Sequence, residues 1–227
     1  MINNQIGLSF DLDWQDNEVL QQTLRLLKSQ QIQATFFATH KTRVKIKGHE
    51  LAIHPYFNQR QSFQASINKL LKIFPQAEGL RSHNLHIDYE IFSYLERKKF
   101  RYDSNYLMYL QEKIRAFKIN NFYELPIYYL DFYQILTEKK PKFQLASLNL
   151  GRPGLKIFVF HPIHIYLNTS NLNQYLQYKK DPKNASKYIN QTKPGVQTLF
   201  LELLAYFKKN HQQDLRLKKI AYAESSR

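Results

Sequence analysis

Four short apolar runs in this chain each close on an acid or a histidine, and that pattern narrows the folds open to it. Ser9-Phe10-Asp11-Leu12-Asp13 closes the first run, Ala34-Thr35-Phe36-Phe37-Ala38-Thr39-His40 the second, Glu50-Leu51-Ala52-Ile53-His54 the third and Ile157-Phe158-Val159-Phe160-His161 the last. Parallel strands covered on both faces read as near-continuous apolar runs. In barrels of such strands the active site lies at their C-terminal ends. Acids and imidazoles converging there suit metal-assisted acid–base chemistry.

Between these runs the pattern switches to helical spacing. Residues 17–29 place Leu20, Leu24 and Leu27 on one face, residues 62–74 carry a stripe from Phe63 to Phe74, and residues 87–99 set Ile87, Ile91 and Leu95 in line. Residues 196–208 read as a further helix, and strands are expected at 5–11, 33–39, 50–54, 79–82, 101–104, 122–125 and 155–161. A closing strand is expected near Leu217–Tyr222. Strand–helix alternation of this length predicts a parallel sheet or barrel. Two stretches, 137–154 and 168–195, break the alternation; long connections of that kind often cover active sites.

Composition removes several classes of function. With no cysteine among 227 residues, disulfides, thiolate catalysis and Cys-ligated metals are excluded. Six glycines and no G-x-G-x-x-G or P-loop string argue against a nucleotide-binding sheet. Met1-Ile2-Asn3-Asn4-Gln5 lacks a basic leader, and no apolar run approaches the ~18 residues of a membrane span, so a cytoplasmic location is expected. The net charge of +15 favours anionic partners such as phosphorylated substrates or, peripherally, an acidic membrane. Its basic residues are scattered, however, and a chain rich in Lys, Asn, Ile, Tyr and Phe follows from an AT-rich genome alone. Nucleic-acid binding would leave the strand-end acids and histidines without a role.

Asp11 and Asp13 lie two apart, so a strand projects both to one side; Asp16 is better placed than either to cap the helix that follows. His54 precedes Pro55, with Asn58 four residues on. His161 leaves the most apolar run, and an imidazole near its ordinary pKa of ~6.5 is a ready proton donor. His164, three residues later, is either part of the site or structural. An arginine at position 81 is suited to orient a carboxylate through its fork of donors.

In order and spacing these segments resemble the polysaccharide deacetylases of the NodB-like superfamily, carbohydrate esterase family four. Ser9–Asp13 resembles the motif that supplies a catalytic-base Asp and a metal-ligand Asp. Ala34–Phe37 is similar to the second-strand signature, and Gly48-His49-Glu50-Leu51-Ala52-Ile53-His54 to the stretch ending in the first metal histidine. Arg81-Ser82-His83, Tyr102-Asp103-Ser104-Asn105 and Phe160–Asn168 look most like the WbmS-like branch, which is associated with surface-polysaccharide gene clusters. The resemblance spans roughly residues 5–222.

It implies a single-domain α/β fold over 1–227, a distorted (β/α)7-type barrel of mostly parallel strands. It implies a metal-dependent N-deacetylase acting on an acetamido sugar, with Asp11 as base, Arg81 holding that base, His161 as acid and Asp131 tuning the acid. Asp13 and His54 are then ligands of a divalent ion, Zn²⁺ first among them. The sequence departs from the family at three points: Leu12 separates the aspartates, Asn58 stands where the second metal histidine belongs, and Arg81-Ser82-His83 replaces Arg-X-Pro. The third ligand is therefore open between Asn58, through its carbonyl oxygen, and His83 or His40. A nucleotide- or lipid-pyrophosphate-linked sugar is the expected substrate. The alternative is a deacetylase fold that binds glycan without turnover.

Overall fold

A computed structural model describes residues 4–14, 16–58 and 60–226. Met1–Asn3, on which the leader-free reading partly rests, lie outside the described residues. The chain opens with β1 (Gln5–Leu12) and α1 (Asn17–Ser29), then β2 (Thr35–Ala38), β3 (Glu50–Ile53), α2 (Phe63–Ile73), β4 (Gly79–Leu80), α3 (Tyr89–Arg97) and β5 (Tyr102–Asp103). A hairpin of β6 (Phe117–Ile119) and β7 (Phe122–Glu124) leads into β8 (Ile127–Leu130), α4 (Asp131–Thr137) and β9 (Leu155–Phe160). Four helices follow: α5 (Pro162–Leu167), α6 (Leu172–Lys180), α7 (Val196–Lys209) and α8 (Leu217–Ser225).

The strands make one sheet in the order β6-β7-β5-β4-β3-β2-β1-β9-β8, parallel throughout except for the β6–β7 hairpin. The sheet curls as a half-barrel, consistent with the barrel-type expectation. Chain leaving β5 reaches across to β8: Ile127 N–H donates to the Tyr106 carbonyl, Met108 N–H to Ile127 and Leu110 N–H to Tyr128, each at 2.8 Å. Every residue of β9 is buried, as are the last six of β1, which is why both read as apolar runs. On α7, Leu199, Phe200, Leu203, Leu204 and Phe207 form a buried stripe against them. Each such side chain contributes about 1.5–3 kcal/mol by leaving water.

The expected closing strand is a helix. The extended piece lies just before it: Leu215 N–H donates to Gln33 O (2.9 Å) and Leu8 N–H to Leu215 O (2.9 Å). The first turn of α8 is then capped from a distance. Leu217 N–H donates to Thr35 Oγ1 (2.8 Å) and Lys218 N–H to Glu50 Oε2 (3.0 Å), satisfying amides that a helix start leaves unpaired. Glu50 also accepts from Thr35 Oγ1 and from the Tyr102 hydroxyl. Gly79 makes that last bond possible, since a Cβ there would come within 2.1 Å of the Tyr102 ring. Asp16 does occupy the position before α1, but its side chain makes no cap hydrogen bond.

Of the two long connections, 137–154 carries only a short 3-10 turn and lies away from the strand ends that matter here. The other, 168–195, contains α6 and a 3-10 segment, and it is stitched down. Asn168 Nδ2 donates to the carbonyls of Asn190 and Lys193, and Asn190 Nδ2 returns a bond to Asn168 O. It forms a wall of the cleft described next.

Candidate active site and metal centre

Asp11, Asp13, His54, Arg81, His83, Asp131 and His161 meet at the C-terminal ends of β1, β3, β4, β8 and β9. Asp11, Asp13, His54, His83 and His161 floor a cleft of about 600 Å³ whose far wall is α6. β1 ends at Leu12, and the Trp14 N–H bends back to the Leu12 carbonyl (3.2 Å), so Asp13 sits at the apex of a tight turn.

Asp13 is the hub. Its Oδ1 lies 3.3 Å from His54 Nε2 and 3.2 Å from His83 Nδ1, and its Oδ2 lies 3.5 Å from His161 Nε2. Oδ1 is buried and makes no hydrogen bond of acceptable geometry, despite two imidazole nitrogens beside it. The two histidines hold its carboxyl far below the usual carboxylate range, against the opposing effect of burial. His54 Nδ1 lies 2.6 Å from the Arg81 carbonyl, which only accepts, so Nδ1 carries a proton and Nε2 is the ring atom that faces Asp13. The His83 N–H donates to Pro55 O (2.9 Å), pinning the loop after β4 against the loop after β3. Asp13, His54 and His83 thus offer ligand atoms within 4.8 Å of one another. A convergent carboxylate and two imidazoles with an orphaned oxygen between them is a donor set that fits a divalent cation.

Asn58 and His40 are not brought to this point. Asn58 Oδ1 accepts the Arg60 N–H (2.9 Å), and His40 Nδ1 faces Thr39 Oγ1 (2.8 Å). A second cluster, Asp131, His161 and His164, has ligand-like spacing, but its atoms are engaged in hydrogen bonds.

Asp11 is buried beside Arg81, whose Nη1 donates to Asp11 Oδ1 (2.8 Å) and Ser9 Oγ (3.0 Å). Arg81 is no surface ion-pair partner: it is fully buried, its Nε and Nη2 are bound to Ser104, and its guanidinium lies 4.1 Å from the centre of the Phe37 ring. Burial alone would raise the Asp11 pKa, but Arg81, His54 and His161 outweigh it and hold the group ionised. One oxygen is thereby fixed, and Oδ2 faces His54 Nε2 at 4.0 Å.

His161 is held on the opposite side. Asp131, the first residue of α4, accepts from His161 Nδ1 (2.7 Å) and from its backbone N–H (2.7 Å). Burial works against a charged imidazole, yet Asp131, Asp13 and Asp11 push its pKa up to about 10. His161 is therefore an imidazolium at neutral pH, with Nε2 aimed into the cleft. His164 is the contrast: burial takes it down to about 4, and its ring stacks on Phe132.

Three residues were not singled out as functional. Asn105 Oδ1 accepts both the N–H (2.9 Å) and the hydroxyl (2.8 Å) of Ser82, the link between Arg81 and His83. Asn105 is itself held by Glu124 and Asp103. Both acids are fully buried, and burial raises both carboxyls; Glu124 raises Asp103 further, whereas a hydrogen bond with Asp103 eases Glu124. The only sequence signal was the string Tyr102–Asn105; Glu124 arrives from another strand.

A family model for WbmS-like polysaccharide deacetylases matches residues 8–179. The chain belongs to that family. A solved structure from Bordetella bronchiseptica, described as a candidate polysaccharide deacetylase involved in O-antigen biosynthesis, is 26% identical; the match covers 88% of this chain and 89% of that one, with a TM-score of 0.79. A candidate polysaccharide deacetylase from Mycobacterium smegmatis (TM-score 0.58, 14% identity, 98% and 90% covered) shares the fold. So does a peptidoglycan N-acetylglucosamine deacetylase (0.53, 14%, 95% and 87%). No curated protein sequence matches. No helix among the described residues is long and apolar enough to cross a membrane.

Proposed function

We propose that this protein is a metal-dependent hydrolase that removes the N-acetyl group from an acetamido sugar during surface-polysaccharide biosynthesis. The observation that carries the reading is the orphaned Asp13 Oδ1 between His54 Nε2 and His83 Nδ1, with a held base on one side and a held acid on the other. Asp13, His54 and His83 would hold the ion, for which two imidazoles and one carboxylate favour Zn²⁺. When bound, such an ion acidifies water and polarises a carbonyl.

The protein's own groups supply the proton transfers. Asp11 takes a proton from the attacking water at Oδ2, because Arg81 occupies Oδ1 and keeps the carboxylate charged. The water oxygen joins the acetamide carbon and the C–N bond breaks. His161 gives its Nε2 proton to the departing nitrogen, and Asp131 keeps Nδ1 protonated and the ring aimed. The products are acetate and an amino sugar.

A pyrophosphate-linked sugar is the proposed substrate form. Lys179 lines the α6 wall, and Lys180, Lys183 and Lys187 share its segment. Such carriers are assembled in the cytoplasm, where this reading puts the protein, with residues 1–227 acting as one unit.

The test is acetate release from UDP-N-acetylglucosamine and from a neutral acetamido sugar, with Zn²⁺, Co²⁺ or a chelator. Metal-dependent release is expected, with pyrophosphate-linked sugar preferred. Asp11→Asn should lower kcat by about 10³-fold, within the range for a lost general base. A protein that binds no divalent ion and releases no acetate would instead be a glycan-binding relative without turnover.

A further inference from the structure

Trp14 stands at the mouth of the cleft in a conformation that costs energy. Its φ is +37°, in the left-handed region that a bulky side chain rarely adopts. Strain of this kind costs on the order of 1–3 kcal/mol and gathers at functional sites. Despite its size, Trp14 is 56% exposed. It is not loose. Its ring meets Tyr56 edge to face (5.9 Å between centroids, 86°) and His83 in the same manner (5.6 Å, 68°). Tyr56, itself 43% exposed, also packs against His83 at 5.2 Å. Held in this way, more than half of the Trp14 surface still stands open. Across the cleft stand Tyr175 and the half-exposed Leu176.

We infer that Trp14, braced by Tyr56, is a stacking platform for a pyranose ring of the substrate. The inference deepens the deacetylase reading and rests on it. Three features select a sugar over other ligands. The exposed surface is aromatic and uncharged, and the C–H face of a pyranose is the apolar surface a carbohydrate offers. The platform touches His83, so a ring seated there lies beside the reacting acetamide. The cleft volume of about 600 Å³ falls within the roughly 300–1,000 Å³ of small-ligand sites. The strained backbone then has a reason: it turns the indole outward at the rim, whereas a relaxed residue following Asp13 has no such requirement.

Trp14 is the single tryptophan of the chain, so it reports on its own occupancy. Di-N-acetylchitobiose and UDP-N-acetylglucosamine, titrated into metal-free protein, should change the tryptophan emission saturably. With metal present, Trp14→Ala should raise KM about tenfold, with the loss falling on KM rather than kcat; aromatic stacking of about 1.4 kcal/mol corresponds to that factor. Trp14→Phe, which keeps a ring, should restore KM to within about threefold. Trp14→Gly removes the ring and accepts the positive φ, so it should melt no lower than wild type while still raising KM, which separates lost binding from lost folding. Acetate release at saturation without any change in emission would overturn the platform and leave the deacetylase standing. A saturable emission change, with no acetate released once Zn²⁺ or Co²⁺ is added, would support the platform and sink the deacetylase reading. An unchanged KM in both Trp14→Ala and Trp14→Gly would also overturn the platform.

Discussion

Glu50 and Asp13 place buried carboxylate oxygens at opposite ends of one sheet, and their surroundings are opposites. Glu50, where β3 begins, receives donors from Thr35, Tyr102 and the Lys218 amide. Asp13, just past the end of β1, has an oxygen that no hydrogen bond satisfies. An unpaired buried acceptor costs about 1–3 kcal/mol. A fold that satisfies one carboxylate so fully and leaves the other wanting has set the second aside for a ligand. The same contrast separates two histidines one turn apart: His161 is kept charged by Asp131, and His164 is kept neutral by burial.

The contrast breaks most sharply at the third ligand. His83→Ala should weaken Zn²⁺ binding at least about 100-fold by calorimetry, whereas Asn58→Ala should stay within about threefold. The reverse ranking would restore Asn58 to the site. Asp131→Asn tests the two histidines. The reaction needs His161 protonated, so activity falls as pH rises through its pKa of about 10. Without the Asp131 charge that pKa drops toward ~6.5, and the alkaline limb of kcat should move down by at least about two units, slowing the variant about 10- to 300-fold at pH 9. An unmoved limb would assign the limb to another group. The smallest effect on the site is expected from Glu50→Ala. It should cost about 3 kcal/mol in a denaturant melt, by leaving buried donors unpaired, yet change kcat less than threefold. A large loss of activity at full stability would erase the division between the two ends of the sheet.

What the sequence made legible follows from locality. Asp11, Asp13, His54 and His161 each end an apolar run, and the run and its terminal residue are read together. Arg81 was visible by resemblance, though its burial was not. The position of the third ligand was not legible, because His83 reaches Asp13 from the extended loop after β4, just ahead of the left-handed Asn84 and Leu85, rather than at helical spacing from His54. The pairing of Asp103 with Glu124 joins two strands whose side-by-side order no local pattern encodes. The helical state of Leu217–Ser225 depends on caps supplied by Thr35 and Glu50, far away along the chain. Leu217, Ile220 and Ala221 had the spacing of a helix, but its start signal was missing from the neighbouring residues.

The pairing of β1 with β9 has a consequence for how the molecule is made. Gln5 lies beside Leu155 and Phe10 beside Phe160, so β1 leaves the ribosome long before the strand that covers its second edge. Until then β1 has one open edge with an apolar sequence, the arrangement that invites pairing with another chain. Contacts this distant in sequence also slow folding. Newly made chains should therefore be at their most aggregation-prone before residue 160 emerges, and expression at lower temperature should recover more soluble protein.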